Sequence, residues 1–402
     1  MVFNLNEYLI AVSFALDFVE MDVFGIATNH SKRVAYIALK IGEGMGLAKE
    51  ELFDLVSLAI LHDNGACEKV LDDEFSLDKR ESFRTVESML EHGIKGEENI
   101  KDYPFITNVF NVIKYHHENY DGSGYFGVEG SSIPLMAQII KLADTIELGF
   151  PLGNMFYENK EKLRDYIKTQ TGALFAPKPV EALLSLCEQQ YFWLDLKDEF
   201  IGGSLKMKVP NFAREMSFEK IRQVTRIFSQ IVDSKSAFTR RHSRELTEKA
   251  AYMGEFYKKP KEELYKLMIA GDLHDIGKLT VSNEILDKPG ALDRHEVDII
   301  QQHTYYTRLS LQEIHGFEDI TEWAANHHEK LSGKGYPYGK NEDHLDFNSR
   351  LMACLDVYQA LSEERPYRKP MKHEDAAKIL RNMVVDGSLD GKIVEDLIKV
   401  FA

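Results

Sequence analysis

The feature that most constrains this chain is a pattern of histidines and an aspartate that occurs twice. The sequence has 402 residues and 14 histidines. Five histidines of the first half recur in the same order, 211 or 212 residues later, and an aspartate recurs with them. The pairs are His30 and His242, His62 and His274, His92 and His303, His116 and His327, His117 and His328, and Asp144 and Asp356. This constant offset predicts an internal duplication with a repeat of about 190 residues.

The duplication predicts two domains. The first domain is placed at residues 1–200 and the second at residues 212–402. Between them, Gly202, Gly203 and Pro210 interrupt the helical pattern, which predicts either a linker or, because the stretch is short, a rigid junction.

The predicted secondary structure is mostly helical. Apolar residues at helical spacing precede both His62 and His274. Residues 105–118 and 319–329, which carry the paired histidines near their ends, are also predicted as helices. Alternating strand patterns with hairpin signals do not occur. The sequence therefore predicts the all-α fold class, with two similar helical bundles.

Composition and charge restrict the kind of protein. Hydrophobic residues make up 44% and charged residues 28%, which is typical of a globular chain. Apolar runs stay shorter than the ~18 residues of a membrane span, and the first residues lack signal-peptide features. The three cysteines, Cys67, Cys187 and Cys354, are too few for a disulfide framework or a thiolate zinc site. A net charge of −16 argues against a nucleic-acid polymer as partner. We expect a soluble, cytoplasmic protein.

Seven side chains of the second repeat are candidate metal ligands. They are His242, His274, Asp275, His303, His327, His328 and Asp356. Imidazole and carboxylate ligands without thiolates suit iron, manganese, cobalt, nickel or zinc. Seven ligands exceed the four of a tetrahedral zinc site and therefore predict two metals. Two divalent ions about 3.5–4 Å apart can clamp a phosphoryl oxygen. Because Lys278 adds positive charge, we expect a phosphodiester substrate.

Several segments resemble the HD-GYP phosphodiesterases. In the second repeat they are HDIGK at 274–278, DKPG at 287–290, HHEKLSGKGYP at 327–337 and LDVYQALSEERPYRKPM at 355–371. The first repeat resembles the same family through LHDNGA at 61–66, EHGIKGEE at 91–98 and the segment 115–144. The whole chain thus resembles a tandem HD-GYP protein with two HD-type helical bundles.

The resemblance implies a dinuclear, in some members trinuclear, iron or manganese site. It implies hydrolysis of a cyclic dinucleotide, either cyclic di-GMP or 3′3′-cyclic GMP–AMP. Carried over by position, the seven side chains are the ligands, Asp275 bridges the metals, and Lys278 contacts the scissile phosphate or helps the leaving oxygen. Tyr336, Arg365 and Arg368 are candidate substrate contacts. The preferred dinucleotide, the native metal and the final product stay open.

Both repeats depart from the family pattern. Phe238 and Ile26 stand where some members have a glutamate that binds a third metal, so we predict two metals. Ser332 replaces the aspartate of DGxGYP. The first repeat lacks the RPYR segment and has Ala66 in place of the lysine and Phe126 in place of the GYP proline. It retains every candidate ligand, namely His30, His62, Asp63, His92, His116, His117 and Asp144.

These departures predict different roles for the two domains. We expect catalysis in the second domain. The first domain is expected to bind metal but to turn over slowly or not at all, as a scaffold, a homodimer surface or a ligand sensor.

Two other functions remain as alternatives. A nucleotide phosphohydrolase of the wider HD superfamily would share the ligand set, but the GYP loop and the RPYR segment argue against it. A non-catalytic sensor of a cyclic dinucleotide or a metal, signalling through a partner, fits the first repeat. Lys278 argues against that function for the second repeat.

Overall fold

The structure, a computed structural model, is mostly helical. It describes residues 1–13, 29–65, 86–154, 157–234, 241–288, 290–363 and 370–402. Within these ranges the strands are β1 (Val2–Phe3) and β2 (Arg214–Glu215), each of two residues. The predicted all-α fold class is therefore confirmed. No helix in the described part of the chain is long and apolar enough to cross a membrane.

The chain divides into two compact units, of which the N-terminal unit comprises Asn4–Arg214. Residues 5–13 of this unit are helical. Its further helices are α1 (His30–Gly44), α2 (Lys49–Ile60), α3 (Val86–Asn99), α4 (Leu135–Gly149), α5 (Tyr157–Thr169), α6 (Pro177–Cys187), α7 (Gln190–Asp195) and α8 (Ile201–Lys208). Short 3₁₀ turns occur at Gly130–Ser132 and Leu152–Asn154.

The C-terminal unit comprises Glu215–Ala402 together with Met1–Phe3. Its helices are α9 (Phe218–Ser234), α10 (His242–Phe256), α11 (Lys261–Leu273), α12 (Asn283–Leu286), α13 (Arg294–Gln301), α14 (His303–Leu311), α15 (Glu318–Ala325), α16 (Phe347–Ser362), α17 (His373–Val385) and α18 (Gly391–Val400). The 3₁₀ turns are Ile276–Thr280 and Glu342–His344.

The first three residues differ from the predicted domain limits, because they pack with the C-terminal unit. The amide of Met216 donates a hydrogen bond to the carbonyl oxygen of Met1 at 2.9 Å. The N-terminal ammonium donates in return to the carbonyl oxygen of Met216 at 2.9 Å. The ring of Phe3 stacks on that of Phe317 with a centroid separation of 6.4 Å.

The duplication is visible in the helix limits. Helices α1, α2 and α4 begin 212 residues before α10, α11 and α16, respectively. In both units the first helix of the set contacts the other two. Helix α10 buries Leu246, Ala250 and Met253 completely, at the three- and four-residue spacing of one helix face. Burying a side chain such as leucine contributes about 1.5–3 kcal/mol.

The predicted helix over residues 105–118 is wrong, because this segment forms turns. Two carboxylates accept the backbone N–H groups that a helix would use. Asp54 accepts from the amides of Ile106 and Thr107, at 2.9 and 2.6 Å. Glu97 accepts from the amide of Asn111 at 2.6 Å, and Asn111 itself has a positive φ of 62°. Side-chain acceptors of this kind compete directly with helix formation.

The predicted interruption of the helical pattern at Gly202 and Gly203 is also wrong, because both glycines lie inside helix α8. Ile201 and Leu205, one helical turn apart, are both completely buried. The hydroxyl of Ser204 donates to the Asp195 carboxylate at 2.9 Å. Packing therefore outweighs the cost of about 1 kcal/mol that each helical glycine carries.

A glycine at the same position of each repeat permits the backbone to approach a histidine. A Cβ atom on Gly277 would lie 1.9 Å from the carbonyl oxygen of His303. A Cβ atom on Gly65 would lie 2.3 Å from the carbonyl oxygen of His92. Only glycine fits either position without a backbone shift. The contact joins the segment after the His-Asp pair to the element that carries the next candidate ligand.

We predict that Gly277→Ala lowers the free energy of unfolding by about 1–3 kcal/mol, because the added methyl group must displace the His303 backbone. Gly203→Ala is the matched control, since open space surrounds its Cβ position in α8. The control is expected to be neutral or slightly stabilising. Urea unfolding followed by circular dichroism measures both, and equal midpoints would contradict the prediction.

Candidate metal centres

Helix ends position most of the candidate ligands of the C-terminal unit. His242 and His303 are the first residues of α10 and α14. His274 follows the last residue of α11 directly, and His327 comes two residues after the end of α15. Asp356 instead lies within α16. Because the backbone is fixed on at least one side of each residue, the side chains converge with little freedom.

Six of the seven side chains form two adjoining groups. One group is His242, His274 and Asp356, and the other is His303, His327 and His328. In each group the potential ligand atoms lie within 4.8 Å of one another. These distances suit side chains arranged around a central ion.

Asp275 lies between the two groups. Its Oδ2 is 3.2 Å from Nε2 of His274, in the first group. Its Oδ1 is 3.5 Å from Nε2 of His303 and 3.7 Å from Nε2 of His327, in the second group. One carboxylate therefore presents one oxygen to each group.

Backbone carbonyl groups fix the orientation of three imidazoles. In His274, His303 and His327, Nδ1 lies 2.8, 2.6 and 2.6 Å from the carbonyl oxygen three residues earlier. Because a carbonyl oxygen only accepts, Nδ1 carries the proton and Nε2 presents its lone pair. This is the arrangement that orients histidine ligands in metal sites.

His242 is oriented by a carboxylate instead. Its Nδ1 lies 2.9 Å from Glu363 Oε2, and its Nε2 lies 3.1 Å from Asp356 Oδ1. Burial favours neutral His242, but the bonds to Asp356 and Glu363 outweigh it and raise the pKa of His242 to about 10. A bound cation would displace this proton from Nε2.

Sequence reasoning missed the orienting carboxylates because they break the repeat offset. In the N-terminal unit Glu147 bonds to Nδ1 of His30, three residues after Asp144. In the C-terminal unit Glu363 follows Asp356 by seven residues. The three-residue spacing places Glu147 on the helix face of Asp144, so helical periodicity could have found it. Glu363 lies directly after the end of α16, where helical periodicity gives no signal.

Buried polar atoms that lack a hydrogen-bond partner show that these residues fit a cation. In the described part of the C-terminal unit, Nε2 of His274 and Oδ1 of Asp275 are buried with no hydrogen bond. In the described part of the N-terminal unit the same holds for Nε2 of His62 and for Oδ1 of Asp144. Buried polar atoms are normally paired. A divalent ion would satisfy these donor atoms in one step.

The protonation states of the group His303, His327 and His328 and of Asp275 favour metal binding. Burial lowers the pKa of His303 to about 3 and also lowers the pKa of His327 and His328. Burial opposes ionisation of Asp275, but the charges of His274 and Lys278 hold its pKa well below the usual range. Neutral imidazoles and ionised carboxylates are the forms that bind metals.

The predicted substrate contacts lie partly beside this cluster. The Lys278 ammonium donates to Oδ2 of Asp275 at 2.6 Å. The ring centroids of Tyr336 and His328 lie 5.0 Å apart. Arg365 and Arg368 fall outside the described residues, as do the departures at Ala66, Ile26 and Phe238.

A glutamate holds the loop after the paired histidines in both units. Glu329 accepts from the amides of Tyr338 and Lys340 at 2.8 and 2.9 Å. Its counterpart Glu118 accepts from the amides of Phe126 and Val128 at 2.9 and 2.8 Å. The loop beside the cluster is therefore held in the same way in the first repeat, although Phe126 stands in place of the GYP proline.

The N-terminal unit brings its seven residues together in the same arrangement. The two groups are Asp63, His92, His116 and His117, and His30, His62 and Asp144. Asp63 Oδ2 is 3.5 Å from Nε2 of His62, and its Oδ1 is 3.2 Å from Nε2 of His92. Asp63 therefore occupies the same intermediate position as Asp275. Both units contain residues able to hold metal.

We predict that Glu363→Gln weakens metal binding in the C-terminal unit about 10–100-fold, because the amide no longer holds His242 with a negative charge. Glu248→Gln is the matched control. Glu248 lies on α10, the helix that begins with His242, and its carboxylate pairs with the exposed side chain of Arg244. Titration with Mn(II) followed by electron paramagnetic resonance measures the affinity. Unchanged affinity in Glu363→Gln would show that His242 does not depend on this carboxylate.

Two segments match the HD domain family, at residues 28–149 and 226–393. The 3′3′-cGAMP-specific phosphodiesterase 1 of Vibrio cholerae is 30% identical over 98% of this chain and 91% of that protein. The 3′3′-cGAMP-specific phosphodiesterase 3 of the same organism is 29% identical, over 94% of this chain and 90% of that protein.

A solved structure resembles the fold over the same extent. A crystal structure of a cyclic GMP-AMP-specific phosphodiesterase from V. cholerae aligns with a TM-score of 0.70 at 26% identity. The alignment covers 100% of this chain and 98% of that one. The similarity therefore includes both repeats and not the second alone.

Proposed function

The chain belongs to the tandem HD-GYP family of cyclic dinucleotide phosphodiesterases, and on that premise we propose that its C-terminal unit performs the hydrolysis. The observation that carries this proposal is the contact of Lys278 with Asp275 at the centre of the seven-residue cluster. The first repeat has Ala66 at the position of Lys278. A cation able to neutralise the leaving oxygen is therefore available from this position in one unit only.

We propose that the seven side chains hold two divalent transition metals, iron or manganese, with Asp275 shared between them. The two groups of donors and the position of Asp275 support this number. Divalent ions bound there lower the pKa of a water molecule and polarise a phosphoryl oxygen. Histidine and aspartate donors also accept cobalt, nickel or zinc.

The protein side chains bind and orient the substrate in this proposal. Lys278 is half-buried at the edge of the cluster, so its ammonium can move from Asp275 to a phosphate oxygen. Tyr336 packs beside His328 and presents a ring on which a purine can stack. Arg365 and Arg368 are proposed contacts for the second phosphate or a guanine edge, on their sequence alone.

We propose 3′3′-cyclic GMP–AMP as the preferred substrate. The support is that the two relatives matched along nearly the whole chain are both named as specific for it. The N-terminal unit is proposed to hydrolyse slowly or not at all, and to serve as a scaffold, homodimer surface or ligand sensor.

We predict that His274→Ala combined with Asp275→Ala removes measurable turnover, because one ligand group loses a member and the shared carboxylate is lost. The matched control is His62→Ala with Asp63→Ala, which makes the same change in the other unit and should retain most of the activity. Anaerobic hydrolysis assays after loading with Fe(II) or Mn(II) compare the two. Activity that survives the first pair and is lost with the second would reverse the assignment.

We predict faster hydrolysis of 3′3′-cyclic GMP–AMP than of cyclic di-GMP when both are offered separately to the metal-loaded protein. The ratio of kcat/KM, with products resolved by chromatography, measures the preference. A ratio favouring cyclic di-GMP would overturn the substrate proposal but leave the class of reaction intact. Binding of both without hydrolysis would support a sensor.

A further inference from the structure

The N-terminal unit contains a lysine that the repeat pattern does not predict. Lys141 lies on α4, three residues before Asp144, and therefore on the same helix face as that candidate ligand. Its side chain is half-buried. Among the residues that the structure describes, none forms a hydrogen bond or ion pair with its ammonium.

The charge of Lys141 acts on the metal-ligand cluster. Burial lowers the pKa of Lys141, and the nearby carboxylates of Asp144 and Glu118 oppose this effect. Glu118 already accepts two backbone hydrogen bonds from its loop. Lys141 therefore lies on the face of α4 that carries the candidate ligand Asp144, with Asp144 and Glu118 as its nearby carboxylates.

Each repeat has one lysine near its cluster, and the two lysines stand at different positions of the repeat. The residue that corresponds to Lys141 in the second repeat is Ala353, and the residue that corresponds to Lys278 in the first is Ala66. Each cluster thus has two aspartates and one lysine, so its net charge is −1 when the histidines are neutral. A single divalent ion makes either site positive, so both sites suit an anion.

The element that carries the lysine differs between the units. Lys278 contacts Asp275, the carboxylate between the two ligand groups. Lys141 instead lies on helix α4 with Asp144, which belongs to the group of His30, His62 and Asp144. The lysine of the first repeat is therefore carried by a different element of the fold than Lys278.

The N-terminal unit also has an aromatic side chain beside its candidate metal ligands. The ring of Tyr125 lies 6.5 Å from that of His117, as Tyr336 lies beside His328 in the other unit. The side chain of Tyr125 is 36% exposed, so one ring surface is available for stacking. Nucleobases stack on such rings with little dependence on sequence.

We propose that the N-terminal unit contains a second phosphate-ester site, in which Lys141 binds a phosphate oxygen of a nucleotide beside the metal cluster. The ligand is a nucleotide with a phosphodiester or terminal phosphate, bound without rapid hydrolysis. The site goes beyond the proposed catalysis in the C-terminal unit, and it shares only the premise that His-Asp clusters of this chain hold metal.

The test uses the full-length chain with His274→Ala and Asp275→Ala, loaded with Mn(II), so that ligands persist during measurement. Metal analysis gives the bound Mn(II), which must fall when His62→Ala and Asp63→Ala are added. Phosphorus-31 relaxation by Mn(II) then gives the affinity for inorganic phosphate, a linear 5′-phosphorylated dinucleotide and 3′3′-cyclic GMP–AMP. The three probes distinguish a free phosphate site from a nucleotide site.

In this background Lys141→Met is expected to retain Mn(II) and to weaken nucleotide binding at least about tenfold, as expected for the loss of a charge-assisted bond. Lys141→Arg keeps the charge and should bind within about threefold of the parent. Lys168→Met, at an exposed position of α5, is the matched control and should bind like the parent.

Equal affinities in Lys141→Met and the parent would overturn the proposal. Loss of Mn(II) from both Lys141 variants would make the lysine a structural residue and would also overturn it. Binding of inorganic phosphate alone, with no gain for either dinucleotide, would contradict the nucleotide ligand. Because all readouts are binding measurements, absence of hydrolysis in the wild-type protein would refute the proposed function without touching this site.

Discussion

The burial of carboxylates among imidazoles is the constraint on which the rest of this structure depends. Asp275 is 1% exposed and has no compensating set of hydrogen-bond donors for Oδ1. Removing a carboxylate from water costs several kcal/mol even after relaxation. Neutral histidines do not offset that cost, whereas a divalent cation does. The helices therefore have to bring donor atoms from distant parts of the chain to one point, and the close backbone contact at Gly277 serves this convergence.

The two repeats show which parts of such a site are fixed and which can move. The side chains that can touch metal keep their spacing within one residue. The side chains that support them do not, since Glu147 orients its histidine from within α4, whereas Glu363 does so from the residue directly after α16. A ligand atom must occupy one point in space. A supporting carboxylate only needs to reach the imidazole, so its position can shift along the chain.

The sequence predicted the donor set and the helical class because both follow from periodic or repeated residue types. It did not predict the turns at residues 105–118, since the acceptors responsible, Asp54 and Glu97, lie on other elements. It also missed helix α8, where burial of Ile201 and Leu205 outweighs two glycines. Lys141 was missed for a related reason, because a repeat comparison finds only residues that are retained. Tertiary contacts decide each of these features, and a single sequence does not display them.

The central claim is that each cluster holds metal and that the complete C-terminal cluster performs the chemistry. Anomalous X-ray diffraction from crystals loaded anaerobically with Mn(II) tests it most directly, because it locates ions without reference to activity. The account predicts peaks between His242, His274 and Asp356 and between His303, His327 and His328, with Asp275 touching both. A C-terminal cluster without an anomalous peak under saturating Mn(II), or peaks that avoid Asp275, would contradict it.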